Sequence, residues 1–196
     1  MPPHHLEPTE TQETMATTET PDLEKLRYPI GRFDPKGELP SGLRAKALDS
    51  VAGTPARIRK AIADLSDQQL DTAYREGGWT IRQLVHHVPD SHLNAYVRFK
   101  LALTEDVPTI KTYDEAAWAK LADSKTTPIE TSLTLLESVH VRWDILMRNM
   151  NDADFQRRIN HPEWGLLDLN VVLRLYEWHG RHHAAHITSL RQRMGW

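Results

Sequence analysis

The segment from Trp178 to Ile187 reads WHGRHHAAHI, and its histidines have the spacing that holds a metal ion on a helix. At roughly 100° per residue, His179, His183 and His186 fall within an arc of about 60°, with His182 about 60° to the other side. His179 and His183 are one turn apart on one face, so two imidazoles can share a cation without bending the helix. Zinc proteases use the same interval but need a Glu beside the first histidine; Gly180 stands there, which excludes that chemistry. Two ligands on one helix seldom hold a catalytic metal alone, and the second cluster, QLVHHVPDSHLN at Gln83–Asn94, offers a third. His86 and His87 point about 100° apart, so one of them at most faces a bundle interior. Ser91, Asn94 and Arg98 share the face of His87, with Asp90 at its edge, while Leu84, Val88, Tyr96 and Phe99 occupy the other side. Seven of the eleven histidines lie in these two clusters. The plain alternative for any one of them is a surface or hydrogen-bonded core residue.

Composition narrows the chemistry. With no cysteine there is no disulfide framework, thiolate ligand or thiol nucleophile, so a metal must be held by imidazole and oxygen. A net charge of −3 gives no electrostatic reason for a nucleic-acid partner. No apolar run approaches the ~18 residues of a membrane span. The N-terminus lacks the basic start and apolar core of a secretory signal. Residues 1–24 hold six acidic residues and no Lys or Arg, which fits a transit peptide badly, so the expected compartment is the cytoplasm.

The elements that must position the histidines can be read from periodicity. Residues 1–25 are rich in Thr, Pro and Glu and read as a disordered tail in which His4 and His5 are solvated. Residues 26–196 form the domain, starting with an extended arm at Tyr28–Phe33. Leu43, Ala47, Val51, Ile58, Ile62 and Leu65 recur at helical spacing, with Pro55 kinking or splitting the helix. A loop over 66–78 leads to a second helix with Thr80 as N-cap, running to about Leu103 and locally disturbed at Pro89. A short helix is expected at Asp114–Leu121. Ile129, Leu133, Leu136, His140, Trp143, Met147 and Met150 form a bundle seam on the third long helix. Residues 155–169 suggest a small hairpin, and the last helix runs from an N-cap at Asn170 to a C-cap at Gly195. The expected fold is all-α, an antiparallel four-helix bundle with a site between facing helices and a small hairpin before the last.

The run GGWTIRQLVHHVPDSHLNAYVRFKLALTED, with YPIGRF upstream and LYEWHGRHHAAHITSLRQRMGW at the end, resembles the YfiT-type branch of the DinB-like superfamily. The resemblance covers roughly residues 26–196. It implies a metal-dependent hydrolase, or a relative that transfers low-molecular-weight thiols to electrophiles, commonly built as a homodimer. It also implies one metal held by a histidine eight residues after a helix-starting Trp and by two histidines four apart on the last helix. Carried over, these are His87, His179 and His183. Pro89 departs from the branch, where a helix former is usual.

Three imidazoles with a vacant position suit one divalent ion per subunit, Zn²⁺ first and Ni²⁺ as the other candidate. Such an ion acidifies bound water towards pH ~7 and polarises a carbonyl, or holds a substrate thiol as thiolate. The ligands alone do not separate these reactions. A non-catalytic site is the third reading, and it would be closed by a fourth protein ligand such as His186 or Asp90. Asp90 and Glu177 could orient ligands or be ordinary solvated carboxylates. His140 is either a hydrogen-bonded core residue or a pocket wall, and His182 and His186 either assist the site or are polar-face residues. Trp79, Trp143 and Trp178 are expected in the core, and the partner is a small molecule.

Overall fold

A computed structural model describes residues 21–196 of the protein. The tail expected over residues 1–20 lies outside them, but residues 21–25, assigned to that tail, belong to helix α1 (Pro21–Arg27). Following the arm and a 3-10 turn (Ser41–Leu43), the first helical stretch is divided at Gly53 into α2 (Arg44–Ala52) and α3 (Thr54–Ile62). Pro55 sits in the first turn of α3, where a missing N–H removes no helical hydrogen bond. The segment expected as a loop contains α4 (Asp67–Leu70), capped by a reciprocal pair of bonds between Ser66 and Gln69.

Thr80 caps α5 (Ile81–Thr104) with Gln83 answering it, the start the sequence indicates. This helix continues through the buried Pro89 as one element. The connector holds α6 (Glu115–Trp118), capped by Asp114, and α7 (Asp123–Thr126), and Pro128 precedes α8 (Ile129–Arg148). Next come α9 (Asp152–Phe155) and an antiparallel hairpin of β1 (Arg158–His161) and β2 (Gly165–Asp168). The last helix is α10 (Leu169–Met194). Its N-cap is Asp168, which accepts from the Val171 amide at 2.9 Å, not the expected Asn170. Asn170 instead donates to the Phe155 carbonyl and accepts from Arg44. Gly195, at φ 70°, ends α10 in the left-handed conformation that glycine adopts without steric cost.

Four helical columns make the bundle: α2 with α3, then α5, α8 and α10. The α5 column packs on α8 and α10, and the α2–α3 column packs on the same two. Residue pairings give the directions. His86 meets Ser132 and His92 meets His140, so α5 and α8 run parallel. His87 meets His179 while Arg98 meets Tyr176, so α5 and α10 run antiparallel. Ser50 meets Glu177 and Ala61 meets Arg191, a parallel pairing; Arg59 with Glu130 and Arg148 with Asp49 make the remaining pair antiparallel. Each column therefore has one parallel and one antiparallel neighbour, a refinement of the antiparallel arrangement expected. The connector over 105–128 returns the chain along α5 before α8 begins.

The core has two apolar halves. One gathers Val51, Phe99, Trp143, Met147 and Leu173; the other gathers Ile58, Leu84, Val88, Leu136 and Ile187. Between them lies a buried polar layer drawn from every column: Thr54, Ser91 and His92, His140, and His183. The functional residues occupy this layer.

Candidate metal centre

His87 from α5 and His179 and His183 from α10 turn their rings to one point. His87 Nε2 is 3.3 Å from His179 Nε2, and His183 Nε2 is 3.1 Å from it. All three ligand atoms lie within 4.8 Å of one another. His86, one residue away, points instead at α8, where its Nδ1 is 2.7 Å from Ser132 Oγ. The structure thus brings together the three histidines singled out above and leaves His86 out.

The donor chemistry fits a cation. One proton on His179 Nε2 could serve only one of its two imidazole neighbours. Lone pairs around a tetrahedral zinc at 2.0–2.1 Å would stand about 3.3 Å apart, close to the spacing here. Burial lowers all three rings, His87 to about 4 and His179 and His183 well below their ordinary value, so they are neutral with lone pairs free at pH 7. Neighbouring histidines add to the effect. No fourth His, Asp or Glu joins this set among the described residues, which leaves one side open.

The orientation of His179 is fixed from behind by a residue the sequence reading passed over. Where the Nε2 lone pair is kept for a cation, the ring proton sits on Nδ1 and is donated to His92 Nε2, 3.1 Å away. His92 Nδ1 then donates to His140 Nε2 at 2.8 Å. Three imidazoles from α10, α5 and α8 thus form one directed hydrogen-bond run, in which each ring carries its proton on Nδ1. His92 is fully buried, and burial holds its pKa well below the usual value and that of His140 at about 4. The Val51 carbonyl opposes the shift at His140 but lies outside hydrogen-bonding geometry. His140 is therefore a hydrogen-bonded core residue that acts on the centre through His92.

The open side faces a cavity of about 390 Å³. Trp79 stands with its ring 4.7 Å from that of His87, and Trp178 stacks on His182 at 4.3 Å. Both line the cavity, so only Trp143 of the three tryptophans is a pure core residue. Arg98 donates to the Tyr176 hydroxyl at 3.3 Å, and Tyr113 and Glu115 reach the cavity from the connector. Burial raises the pKa of both tyrosines and of Glu115. Of the carboxylates considered from sequence, Glu177 is bonded to Ser50 and paired with Arg181. Asp90 is raised to about 6 by burial and by Asp123, and it does not line the cavity. Neither orients a ligand. Tyr113 and Glu115 carry no periodic signal that would have marked them, because they lie in a connector.

A four-column helix bundle with a three-imidazole cluster at an interior cavity is the class defined by fold and site. The chain belongs to the DinB superfamily, whose family model matches residues 51–187. Two curated relatives, from Bacillus mycoides (strain KBAB4) and Bacillus cereus (strain ATCC 10987), are 51% and 52% identical over 174 residues. Each alignment covers 89% of this chain and 100% of the relative. Both carry the name "putative metal-dependent hydrolase". Among solved structures the chain is similar to YfiT from Bacillus subtilis, described as "a probable metal-dependent hydrolase with an unusual four-helix bundle topology". That match has a TM-score of 0.85 and 47% identity and covers 88% of this chain and 99% of that one.

Proposed function

We propose that the protein is a hydrolase of small molecules that works with one divalent cation, Zn²⁺ or Ni²⁺, held by His87, His179 and His183. The observation that carries this reading is the convergence of three neutral Nε2 atoms at a cavity with no fourth protein ligand among the described residues. A structural site would be closed by four. A cation there supplies Lewis acidity to a carbonyl or phosphoryl group. The protein's own groups do the rest. His92 holds the His179 ring in place, Trp79 and Trp178 wall the cavity, and the Arg98 guanidinium with the neutral Tyr113 and Tyr176 hydroxyls offers donors to substrate oxygens.

The second reading is transfer of a low-molecular-weight thiol to an electrophile, in which the thiol would arrive as substrate because the chain has no cysteine. One screen separates the two. Metal-loaded protein is offered esters and amides in one set, and small thiols with an electrophile in the other, with His183→Ala as control. Turnover of the first set supports hydrolysis. Turnover confined to the second supports transfer, and turnover of neither removes the enzymatic reading.

We also propose that two copies associate through the outer side of α8, where Val141 and Ile145, one turn apart, are 62% and 61% exposed. Light scattering on a Val141→Asp/Ile145→Asp variant should then give half the mass of the parent. An unchanged mass places the contact elsewhere.

A further inference from the structure

His182 and His186 lie one turn apart on α10 and repeat the geometry of the pair just described. Their Nε2 atoms are 3.0 Å apart, against 3.1 Å for His179 and His183. Their ring centroids are 4.4 Å apart at 81°, against 4.3 Å at 74°. His183 offers a third nitrogen, and the three ligand atoms lie within 4.8 Å of one another. We propose that His182, His186 and His183 form a second cation site in the same cavity, suited to a late first-row divalent ion that prefers imidazole.

The bland alternative, that these are satisfied core histidines, has to supply them with partners. Elsewhere in the polar layer each ring has a partner of another kind or lies in a longer run of rings: His86 has Ser132, and His92 has both His140 and His179, although His86 Nε2 and His140 Nδ1 are likewise without a partner. His182 and His186 are both buried, yet at Nε2 they face only each other. Nδ1 of His182 and of His183 is buried with no hydrogen-bond partner. Among the described residues no carboxylate or backbone carbonyl is bonded to either ring to explain why the two are turned together. Their orientation is imposed from outside, by Trp178 stacked on His182 at 19° and by Tyr74 with its ring centroid 4.1 Å from that of His186. Both rings line the cavity, so an ion can reach them by the route that serves the first centre.

Two features make this the weaker site. Arg75 and Arg193 stand close enough to disfavour positive charge at His186, and His183 is shared with the first centre, so that holding both ions at once requires its ring to release its N–H proton to solvent and bridge them as imidazolate. The second ion should therefore bind at a free concentration at least tenfold higher than the first.

The proposal is independent of any catalytic activity and is tested by counting ions. Chelator-stripped full-length protein carrying His4→Ala and His5→Ala, which removes the adjacent pair near the N-terminus, is dialysed to equilibrium against buffered Co²⁺ or Zn²⁺. The bound metal is then measured by mass spectrometry. The expected result is two equivalents per chain. His182→Ala and His186→Ala should each keep the tight equivalent and lose the weaker one, His87→Ala should do the reverse, and His183→Ala should lose both. Saturation at one equivalent overturns the second site, as does a second equivalent that survives His182→Ala and His186→Ala. If that single equivalent disappears in His87→Ala, the first centre stands while this one falls. His186→Gln, which nearly preserves volume, repeats the count should the alanine variant prove unstable.

Discussion

His179 is bonded on both sides of its ring: Nε2 faces His87 and His183, and Nδ1 is held by His92. His183→Ala should therefore sharply reduce bound metal, while His86→Ala, whose ring is engaged with Ser132, should leave it near normal. Equal losses in the two variants, read by elemental analysis, would show that the centre is built from other groups. Replacing His92 by Ala removes no ligand but frees the ring behind one, and losses of about 10–100-fold in metal affinity follow such changes. His92→Gln, which keeps an acceptor near the Nε2 position, should recover part of that loss, and calorimetric titration reads both. An affinity unmoved in His92→Ala would mean that packing alone orients His179. Spacing made the pair on α10 legible but could not choose between His86 and His87, which resemblance decided. His92 escaped notice because it lies about 140° around the helix from His87, off the face that periodicity assigns to a site. It reaches the centre because the His179 ring is met by His87 at Nε2 and by His92 at Nδ1.

At the scale of elements, the glycine that excludes a protease motif has its own structural reason. A Cβ on Gly180 would lie 2.5 Å from Thr54 Oγ1 and 2.8 Å from its Cγ2, so α10 and α3 approach as closely as they do only because no side chain stands there. Gly180→Ala should destabilise the fold by about 1–3 kcal/mol through overpacking. Denaturant titration would reveal this, and a midpoint equal to the parent's would show that Thr54 yields easily. The start of α5 was legible from Thr80 with Gln83, the start of α8 from Pro128 and the end of α10 from Gly195. Asn170 is a good capping residue, yet Asp168 two positions earlier takes the role because it ends strand β2, and chain direction reverses there. The parallel neighbours were not legible. Periodicity says which face of a helix is buried but not against which partner, and a connector as long as 105–128 permits either direction.

Across the whole molecule, the buried histidines make stability depend on pH. His87, His140 and His182 are held at about 4 and His186 at about 3, while His92, His179 and His183 lie well below their ordinary value, all mainly through burial. An unfolded chain would protonate the same rings near pH 6.5. Because the folded pKa values are depressed, the unfolded state binds more protons in the interval between. Stability is therefore complete above about pH 6.5 and falls as pH drops towards 4. Each ring contributes up to about 1.4 kcal/mol per pH unit. Thermal melts of metal-free protein should show a clear drop between pH 7.5 and pH 5, and equal midpoints would contradict the burial of these rings as neutral species.

The directed run from His179 through His92 to His140 has a mechanical side as well. It threads α10, α5 and α8 at mid-height, in the layer where the two greasy halves of the interior do not touch, and His87 ties α5 to α10 once more beside it. An ion bound at the end of that thread would work as a rivet for the barrel of helices. Occupancy and folding then become a single equilibrium, in which every tenfold rise in free ion above its dissociation constant makes the native state harder to melt by about 1.4 kcal/mol.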